Sequence, residues 1–434
     1  MTHVPDSRPQ SVSRRRFLQT SAAAAGAALA APYFVPQSAF GANERIVLGH
    51  IGVKNQGTSN LKKFLSYDGK LCDVAALCDV DSKVLGDAQA LVTKTTGRTV
   101  DTYDDYRKLL ERKDIDAVVI STPDHWHARM TIDGCNAGKD VYCEKPLTHT
   151  IAEGRKMVDA ARSQKRIVQT GSQQRSDAKF RQACELVRSG RIGKLETVFV
   201  GIPKPNHPGK PIPDSNPPAE LNFNMWLGPA PDRAYNKNRV HYNFRFFWDY
   251  SGGQMTNFGA HHIDIAHWGM GMDDSGPLEI EGVATFHPEH WHEVSETCRV
   301  TYKYPNDVTM IVGQQQNDIP SGATFVGSKG KIYVTRGKIV GEPADVLSEP
   351  LGDSDVKLAV SANHHLNFLE SLKSRALPIC DVEIGHRAAT ACHLGNIAIR
   401  TGRKITWDAA KEQIVGDDAA QAMTQPKYRS PWSI

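Results

Sequence analysis

The chain has 434 residues, 40% hydrophobic and 23% charged, a globular composition that excludes a disordered chain, a collagen-like fibre and a small disulfide scaffold. Eight cysteines are too few for a disulfide framework, and the length of two to three typical domains leaves room for a core that needs no staples. The formal charge is +4, and +1 once residues 1–41 are set aside, so nucleic acid is not the expected main partner.

The N-terminus reads as an address. Ser13-Arg14-Arg15-Arg16-Phe17-Leu18 precedes an alanine-rich apolar run from Ala22 to Ala31 and on to Val35, and Ala39-Phe40-Gly41 places small residues where a signal peptidase accepts them. Basic start, apolar middle and small-residue end make residues 1–41 an export signal. The paired arginines resemble a twin-arginine (Tat) signal, so export by the Tat machinery to the periplasm is expected. That route carries folded proteins, and thiols that first meet a reducing cytoplasm need not pair. The competing reading is an uncleaved membrane anchor, which the short run and the weak insertion of alanine into lipid disfavour.

Ile46 to Gly52 is a short apolar run ending in glycine. Val53-Lys54-Asn55-Gln56-Gly57 follows, and Thr58 to Phe64 is helix-like. Strand, glycine turn and helix form the context of a dinucleotide fingerprint. The strict pattern places a glycine where Lys54 stands; lysine narrows the backbone approach to a pyrophosphate but brings a positive charge to it. Val74 to Cys78 is a buried-type strand ending at Asp79, 22 residues after Gly57, about the separation at which a carboxylate meets the ribose hydroxyls. A carboxylate there favours NAD and repels the extra phosphate of NADP; its competing role is a cap for the helix from Ser82. Gly52, Lys54, Asn55, Gln56, Gly57 and Asp79 are therefore candidate cofactor-binding residues.

The alternation continues with a helix over 103–111, a strand over 117–120, a helix over 127–137, a strand over 141–143, a helix over 151–163 and a strand over 166–169. This order predicts a parallel sheet with helices on both faces and ligands beyond the carboxyl ends of its strands. Those ends carry polar clusters: Ser121-Thr122-Pro123-Asp124-His125, Glu144-Lys145-Pro146, and Gly171-Ser172-Gln173-Gln174-Arg175.

Thr122-Pro123-Asp124-x-x-His127 followed by Cys143-Glu144-Lys145-Pro146 resembles the Gfo/Idh/MocA oxidoreductases. The likeness covers about residues 45–410 and includes Met225-Trp226-Leu227-Gly228-Pro229, Gly252-Gly253, Gly327-Ser328-Lys329-Gly330 and His386-Arg387, and it is greatest for the Tat-exported branch. The resemblance implies an α/β protein: a Rossmann doubly wound parallel sheet over 44–170, then an α/β domain with a large, open, mostly antiparallel sheet over 171–423, and an extended tail over 424–434. It implies NAD- or NADP-dependent chemistry on sugars or polyols, assembly as a homodimer or homotetramer, and a cofactor site that also takes in Ser121, Thr122, Pro123, His127, Glu144 and Lys145. Two departures stand out. Lys54 breaks the glycine fingerprint, and Asn257 occupies the place, four residues before the catalytic histidine, where family members often carry Asp.

Hydride transfer from an alcohol needs a base for the hydroxyl proton and a donor for the developing alkoxide. Lys145, at a strand end with proline behind it, is the candidate; its bland alternative is a surface ion pair with Glu144. In Gly259-Ala260-His261-His262-Ile263-Asp264, His261 aligns with the family's catalytic histidine. Asp264, three residues on and so on the same helical face, is expected to orient an imidazole or bind a substrate hydroxyl. A histidine pair packing a helix start is the alternative. His262 and His267 are a poor pair for one face, and the spacing of His287, His290 and His292 matches no ligand set, so no metal is expected. His364-His365 opens a late helix and reads as a cap, with an approach to the substrate, as the resemblance to exported relatives implies, as the alternative. Six aromatics between Tyr242 and Tyr250, read as an alternating strand, predict that about half line a sugar cleft. Gln174, Arg175, Trp248 and His262 are the candidate substrate-binding residues, and Pro203 to Pro218 reads as an extended loop beside the site.

Farther on, strands are expected at 196–200, 278–286, 296–304, 308–314, 324–326 and 331–335, and helices at 363–374 and 385–401. The leading functional expectation is an exported oxidoreductase that passes hydride between a hydroxyl carbon of a sugar, glycoside or polyol and a tightly held NAD. The alternatives are an NAD-dependent glycosidase or lyase working through transient sugar oxidation, and a sugar-binding relative that has lost catalysis.

Overall fold

A computed structural model describes residues 45–434; the export signal at 1–41 lies outside them. The first half alternates strand and helix: β1 (Ile46–Ile51), α1 (Gln56–Leu65), β2 (Cys72–Cys78), α2 (Ser82–Thr96), β3 (Asp101–Tyr103), α3 (Tyr106–Leu110), β4 (Ala117–Ile120), α4 (Asp124–Asn136), β5 (Asp140–Cys143), α5 (Ile151–Ser163) and β6 (Val168–Thr170). The six strands form one sheet in the order β3-β2-β1-β4-β5-β6, every pair parallel. All four residues of β4 are buried, as a central strand covered by helices on both faces requires. Side chains fix the helix starts: Asp81 accepts from the backbone N–H of Lys83 and Val84 at α2, and Thr150 with Glu153 forms a capping box at α5. The strand order reverses between β1 and β4, which places a crevice at their carboxyl ends.

The second half adds α6 (Ala178–Arg188), β7 (Leu195–Ile202), α7 (Phe223–Leu227), α8 (Gly253–Asn257), α9 (Gly259–Met270), β8 (Glu279–Thr285), β9 (Thr297–Lys303), β10 (Thr309–Gln314), β11 (Gly322–Gly327), β12 (Gly330–Thr335), β13 (Lys338–Glu342), α10 (His364–Ser374), α11 (Val382–Thr401), β14 (Ile405–Asp408), β15 (Gln413–Ile414) and α12 (Asp418–Ala422). Nine strands run β13-β12-β11-β7-β10-β9-β8-β14-β15, antiparallel except for β7 beside β10. The alternation Cys298, Val300, Tyr302 along β9 buries one face against α9 and α11, while the opposite face stays open and leaves Val283 73% exposed. α11 returns to pack on the first half. A Cβ at Gly154 of α5 would stand 2.1 Å from His386 Nδ1, and one at Gly385 would stand 2.0 Å from Thr170 Oγ1, so only glycine permits this approach.

Several boundaries differ from the sequence reading. α4 starts at Asp124, three residues before the expected His127, because Pro123 tolerates the position before a helix and Asp124 suits its first turn. The segment Tyr242–Tyr250 is no strand; Asn243–Phe246 forms a 3₁₀ turn. β3, β13, β14 and β15 were not expected, being short or rich in polar residues. All eight cysteines are free and buried. No helix among the described residues is long and apolar enough to cross a membrane.

Candidate active site

A cavity of about 960 Å³ opens at the carboxyl ends of β1, β2, β4 and β5 and is closed from the other side by residues of the second half. Its floor is the turn between β1 and α1. Gly52 has φ +78°, and a Cβ on Gly57 would lie 2.0 Å from the Gly52 carbonyl oxygen, so the turn closes only with glycine at both positions. Lys54, Asn55 and Gln56 line the cavity above it. Asn55 sits at φ 48° and makes no side-chain cap, and the first turn of α1 holds no acid of its own, although the Glu144 carboxylate accepts from Gln56 Nε2 at 3.3 Å. Asp79 lines the far end. Its carboxylate accepts from Val53 N at 2.9 Å and Asp81 N at 3.1 Å, which aims the remaining lone pairs into the cavity. Gly57→Ala is expected to strain the turn by roughly 1–3 kcal/mol. Nucleotide content after denaturation checks this: the variant should release less NAD(H) per chain than wild type.

Ser121, Thr122, Pro123, Glu144 and Lys145 also line the cavity. Lys145 Nζ donates to Asn257 Oδ1 at 2.9 Å. Asn257 Nδ2 in turn donates to Gln254 Oε1 at 2.8 Å, which fixes the amide with its oxygen toward the lysine. Burial lowers the Lys145 pKa, Arg245 and Arg336 add to this, and Glu144 opposes it. His261 is buried in the same wall with Nδ1 unpartnered. Burial and then the neighbouring Lys145 hold its pKa well below the ordinary value, so the imidazole is neutral. Gln174 faces the cavity with both amide atoms buried and unpartnered, so the cleft holds a donor and an acceptor in waiting. The arrangement offers a proton acceptor, a neutral imidazole and an amide around one space.

Five of the candidates sit elsewhere. Asp264 is fully buried and points away from the cavity: Arg175 Nε donates to both its carboxylate oxygens at 2.9 Å, and Arg175 Nη2 reaches Asp273 Oδ1 at 2.6 Å. Arg175 and Asp264 therefore neutralise each other inside the protein and do not face substrate. His262 turns from His261 and places Nδ1 2.7 Å from the Gly201 carbonyl, fastening α9 to β7. Trp248 lies under the Arg400 guanidinium, 4.4 Å from its ring centre, outside the cavity lining. His127 is also outside; its two ring nitrogens meet the carbonyls of Pro146, at 2.7 Å, and Thr122, at 2.9 Å. Two carbonyl partners require both nitrogens to carry protons. Burial opposes that charge, yet Cys143 and the Pro146 carbonyl outweigh it and push the pKa up to about 10. His127 is a brace between the two strand-end loops.

Of the six aromatics from Tyr242 to Tyr250, only Tyr242 and Phe244 line the cavity, with Arg245 between them in the 3₁₀ turn. Phe246, Phe247 and Tyr250 belong to a separate apolar cluster. Sequence reasoning missed Asn60 and gave the approach of His365 to the site only as the alternative to a helix cap. Asn60 Nδ2 donates to Ser121 Oγ and Glu144 Oε1, each at 3.0 Å, and its own oxygen meets His365 Nε2 at 3.1 Å. His365 thus reaches the cavity from α10, whose cap is Asn363 rather than the histidine pair. A polar residue inside the amphipathic α1 was the one signal for Asn60. A different grouping also appears, away from the cavity: His207, His292 and Glu296 come together.

Residues 47–172 match the Gfo/Idh/MocA model for the NAD-binding Rossmann fold of the oxidoreductase family, and residues 158–434 match its C-terminal alpha/beta domain. The chain is 33% identical over 147 residues to inositol 2-dehydrogenase of Salmonella typhimurium, covering 34% of this chain and 42% of that protein. It is 42% identical over 123 residues to a glycosyl hydrolase family 109 protein of Shewanella putrefaciens, covering 27% of this chain and 26% of that one. The match thus spans less than half the length of either relative. Among solved structures, the aldose-aldose oxidoreductase of Caulobacter crescentus, complexed with glycerol, superposes with a TM-score of 0.62 at 18% identity over 83% of this chain and 99% of that one. The WlbA dehydrogenase of Bordetella pertussis, in complex with NADH and UDP-GlcNAcA, superposes with a TM-score of 0.61 at 17% identity over 84% and 99%. At these identities the structural likeness is one of fold.

Proposed function

Because the chain belongs to the Gfo/Idh/MocA oxidoreductase family, we propose that it transfers hydride between a hydroxyl carbon of a sugar, glycoside or polyol and a tightly held NAD. The observation that carries this reading is one cavity lined by Lys145 and His261 together with Gly52 of the glycine turn and Asp79. The turn of Gly52 and Gly57, the start of α1 and Asp79 would hold the dinucleotide, and Lys54 would face its phosphates. Bound there, NAD supplies the hydride acceptor. Lys145, in its free-base form, takes the hydroxyl proton as the C–H bond gives up its hydride. His261, neutral, hydrogen-bonds the same oxygen, and Gln174 holds a second hydroxyl. Export by the Tat route to the periplasm belongs to this proposal and is supported by Ser13 to Leu18 and the apolar run after it. So does assembly through the open face of the nine-stranded sheet. No free NAD pool exists outside the cytoplasm, so one substrate would reduce the held cofactor and another would reoxidise it.

The test is to purify the exported protein without added nucleotide, denature it and identify what is released by mass. NAD(H) stoichiometric with the chain is expected. A protein that is empty and fails to bind added NAD would overturn the proposal.

The likeness to proteins named as glycosyl hydrolases favours a second reading, in which sugar oxidation is transient, a glycosidic bond is cleaved and the hydride returns. Product analysis separates the two: net hydrolysis with no second substrate belongs to the second reading alone.

Asn257 gives a sharp pH expectation. A neutral amide leaves the Lys145 pKa lowered, so more free base is present at a given pH. Asn257→Asp would put a negative charge at the same distance, favour the ammonium and raise that pKa by about 1–2 units. The rising limb of kcat/KM for alcohol oxidation should move to higher pH by that amount. An unmoved limb would remove Lys145 from the role of base.

A further inference from the structure

The loop that opens at Pro203 and the loop between β8 and β9 meet outside the cavity, and three side chains converge there. His207 comes from the first loop, and His292 and Glu296 from the second; one ligand atom of each lies within 4.8 Å of the other two. The two imidazoles stack with centroids 3.5 Å apart and planes 10° from parallel. His292 is 1% exposed. All four ring nitrogens are shielded from solvent, and none has a hydrogen-bond partner. The carboxylate oxygen nearest His292 Nε2, from Glu296, stands 3.7 Å away, beyond hydrogen-bond distance. Glu296 pairs with no lysine or arginine among the described residues. Buried polar atoms without partners are rare because each costs on the order of 1–3 kcal/mol, and a single shared ion would satisfy one nitrogen of each ring.

We propose that His207, His292 and Glu296 bind a zinc ion. Two imidazoles and a carboxylate are a zinc donor set, and zinc accepts water as a fourth ligand. The two rings, now near parallel, would tilt so that their in-plane lone pairs converge, and the ligand atoms would close to zinc bonds of about 2.0–2.2 Å.

The ion would act by position. It would tie the proline-rich loop to the end of the antiparallel sheet. The His207 ring packs 4.8 Å from that of Phe246, in the turn that carries Tyr242, Phe244 and Arg245. At the start of the loop, the Pro203 and Lys204 carbonyls accept from Gln254 Nε2 at 3.3 and 3.4 Å. Gln254 is the residue that orients Asn257 toward Lys145. A zinc staple would therefore hold the wall that faces substrate and leave the NAD cradle untouched.

The test uses the whole purified protein, stripped with a chelator, dialysed against zinc or cobalt sulfate and passed through a desalting column. Stoichiometric zinc is expected by elemental analysis, with the visible bands of four-coordinate cobalt in the substituted protein. His207→Gln, His292→Ala and Glu296→Gln should each weaken retention beyond the roughly 10–100-fold that outer-shell changes cost, with NAD release on denaturation unchanged. His207→Gln alters only a partly exposed loop residue, so it keeps the test valid if His292→Ala fails to fold. Wild-type protein without zinc after reconstitution, or His207→Gln that holds as much zinc as wild type, would overturn the proposal.

Discussion

Lys145→Met is expected to lower turnover by about 10²–10⁴-fold, the usual worth of one positioned proton acceptor, while released NAD(H) stays stoichiometric. Methionine keeps the length and apolar stem of lysine and removes only the amine. The amine's partner is a neutral amide, Asn257, itself tied to Gln254, so the substitution orphans one carbonyl oxygen rather than a charge. The expected structural cost is therefore about 1–3 kcal/mol, small enough for a folded, cofactor-loaded variant. Lys145→Arg should be nearly as inactive, because a guanidinium cannot release its proton in this pH range. The measurement is single-turnover reduction of the bound cofactor by a sugar that turns over on wild type, followed near 340 nm. Turnover within a few-fold of wild type would move the base to another group, and His261 is the neighbour in line. His261→Asn should cost less, since a neutral imidazole with a strongly lowered pKa serves as a hydrogen-bonding partner and an amide replaces part of that.

The cofactor half of this site was legible because a parallel sheet advertises itself. Its strands are apolar runs buried on both faces, and their polar ends, at Asp79, Ser121 to Pro123 and Glu144-Lys145, fall where the crevice must be. The errors lie where periodicity carries no information. α9 is buried from Gly259 through Gly269, so spacing placed His261 and Asp264 on one face without saying what each face meets. His261 looks into the cavity, and Asp264 looks at Arg175. The aromatic run failed for another reason: a 3₁₀ turn replaces the expected alternation, and three of its rings join a local cluster. Asn60 and His365 lie 305 positions apart in the chain, and only the closed fold brings them to one hydrogen bond. The same holds for His207, which meets His292 across two loops that no local pattern connects.

Arg175→Met is expected to destabilise the protein by about 3–5 kcal/mol and to leave the KM of the surviving folded fraction nearly unchanged. Arg175 is 1% exposed, and Asp264 not at all. The guanidinium makes two hydrogen bonds of 2.9 Å to Asp264 and two more, at 2.6 and 3.1 Å, to Asp273, and it packs 5.1 Å from the centre of the Trp268 ring. Removing it leaves one carboxylate in a dry interior with no counter-charge, and a second that is mostly buried. The loss should shrink as pH falls, because the orphaned Asp264 can then fold protonated, its pKa raised by burial above the unfolded value. Urea unfolding at neutral and mildly acidic pH reads both effects. The opposite outcome, a raised KM with unchanged unfolding midpoint, would return Arg175 to the substrate site. A paired replacement, Arg175→Met with Asp264→Leu, should recover much of the stability, since an intact buried pair contributes far less than a broken one costs. Activity should recover less, because the pair does more than neutralise itself. Arg175 follows β6 of the first sheet and Asp264 lies one turn from His261 in α9, so the ion pair fixes where the strand ends of one half meet the imidazole supplied by the other.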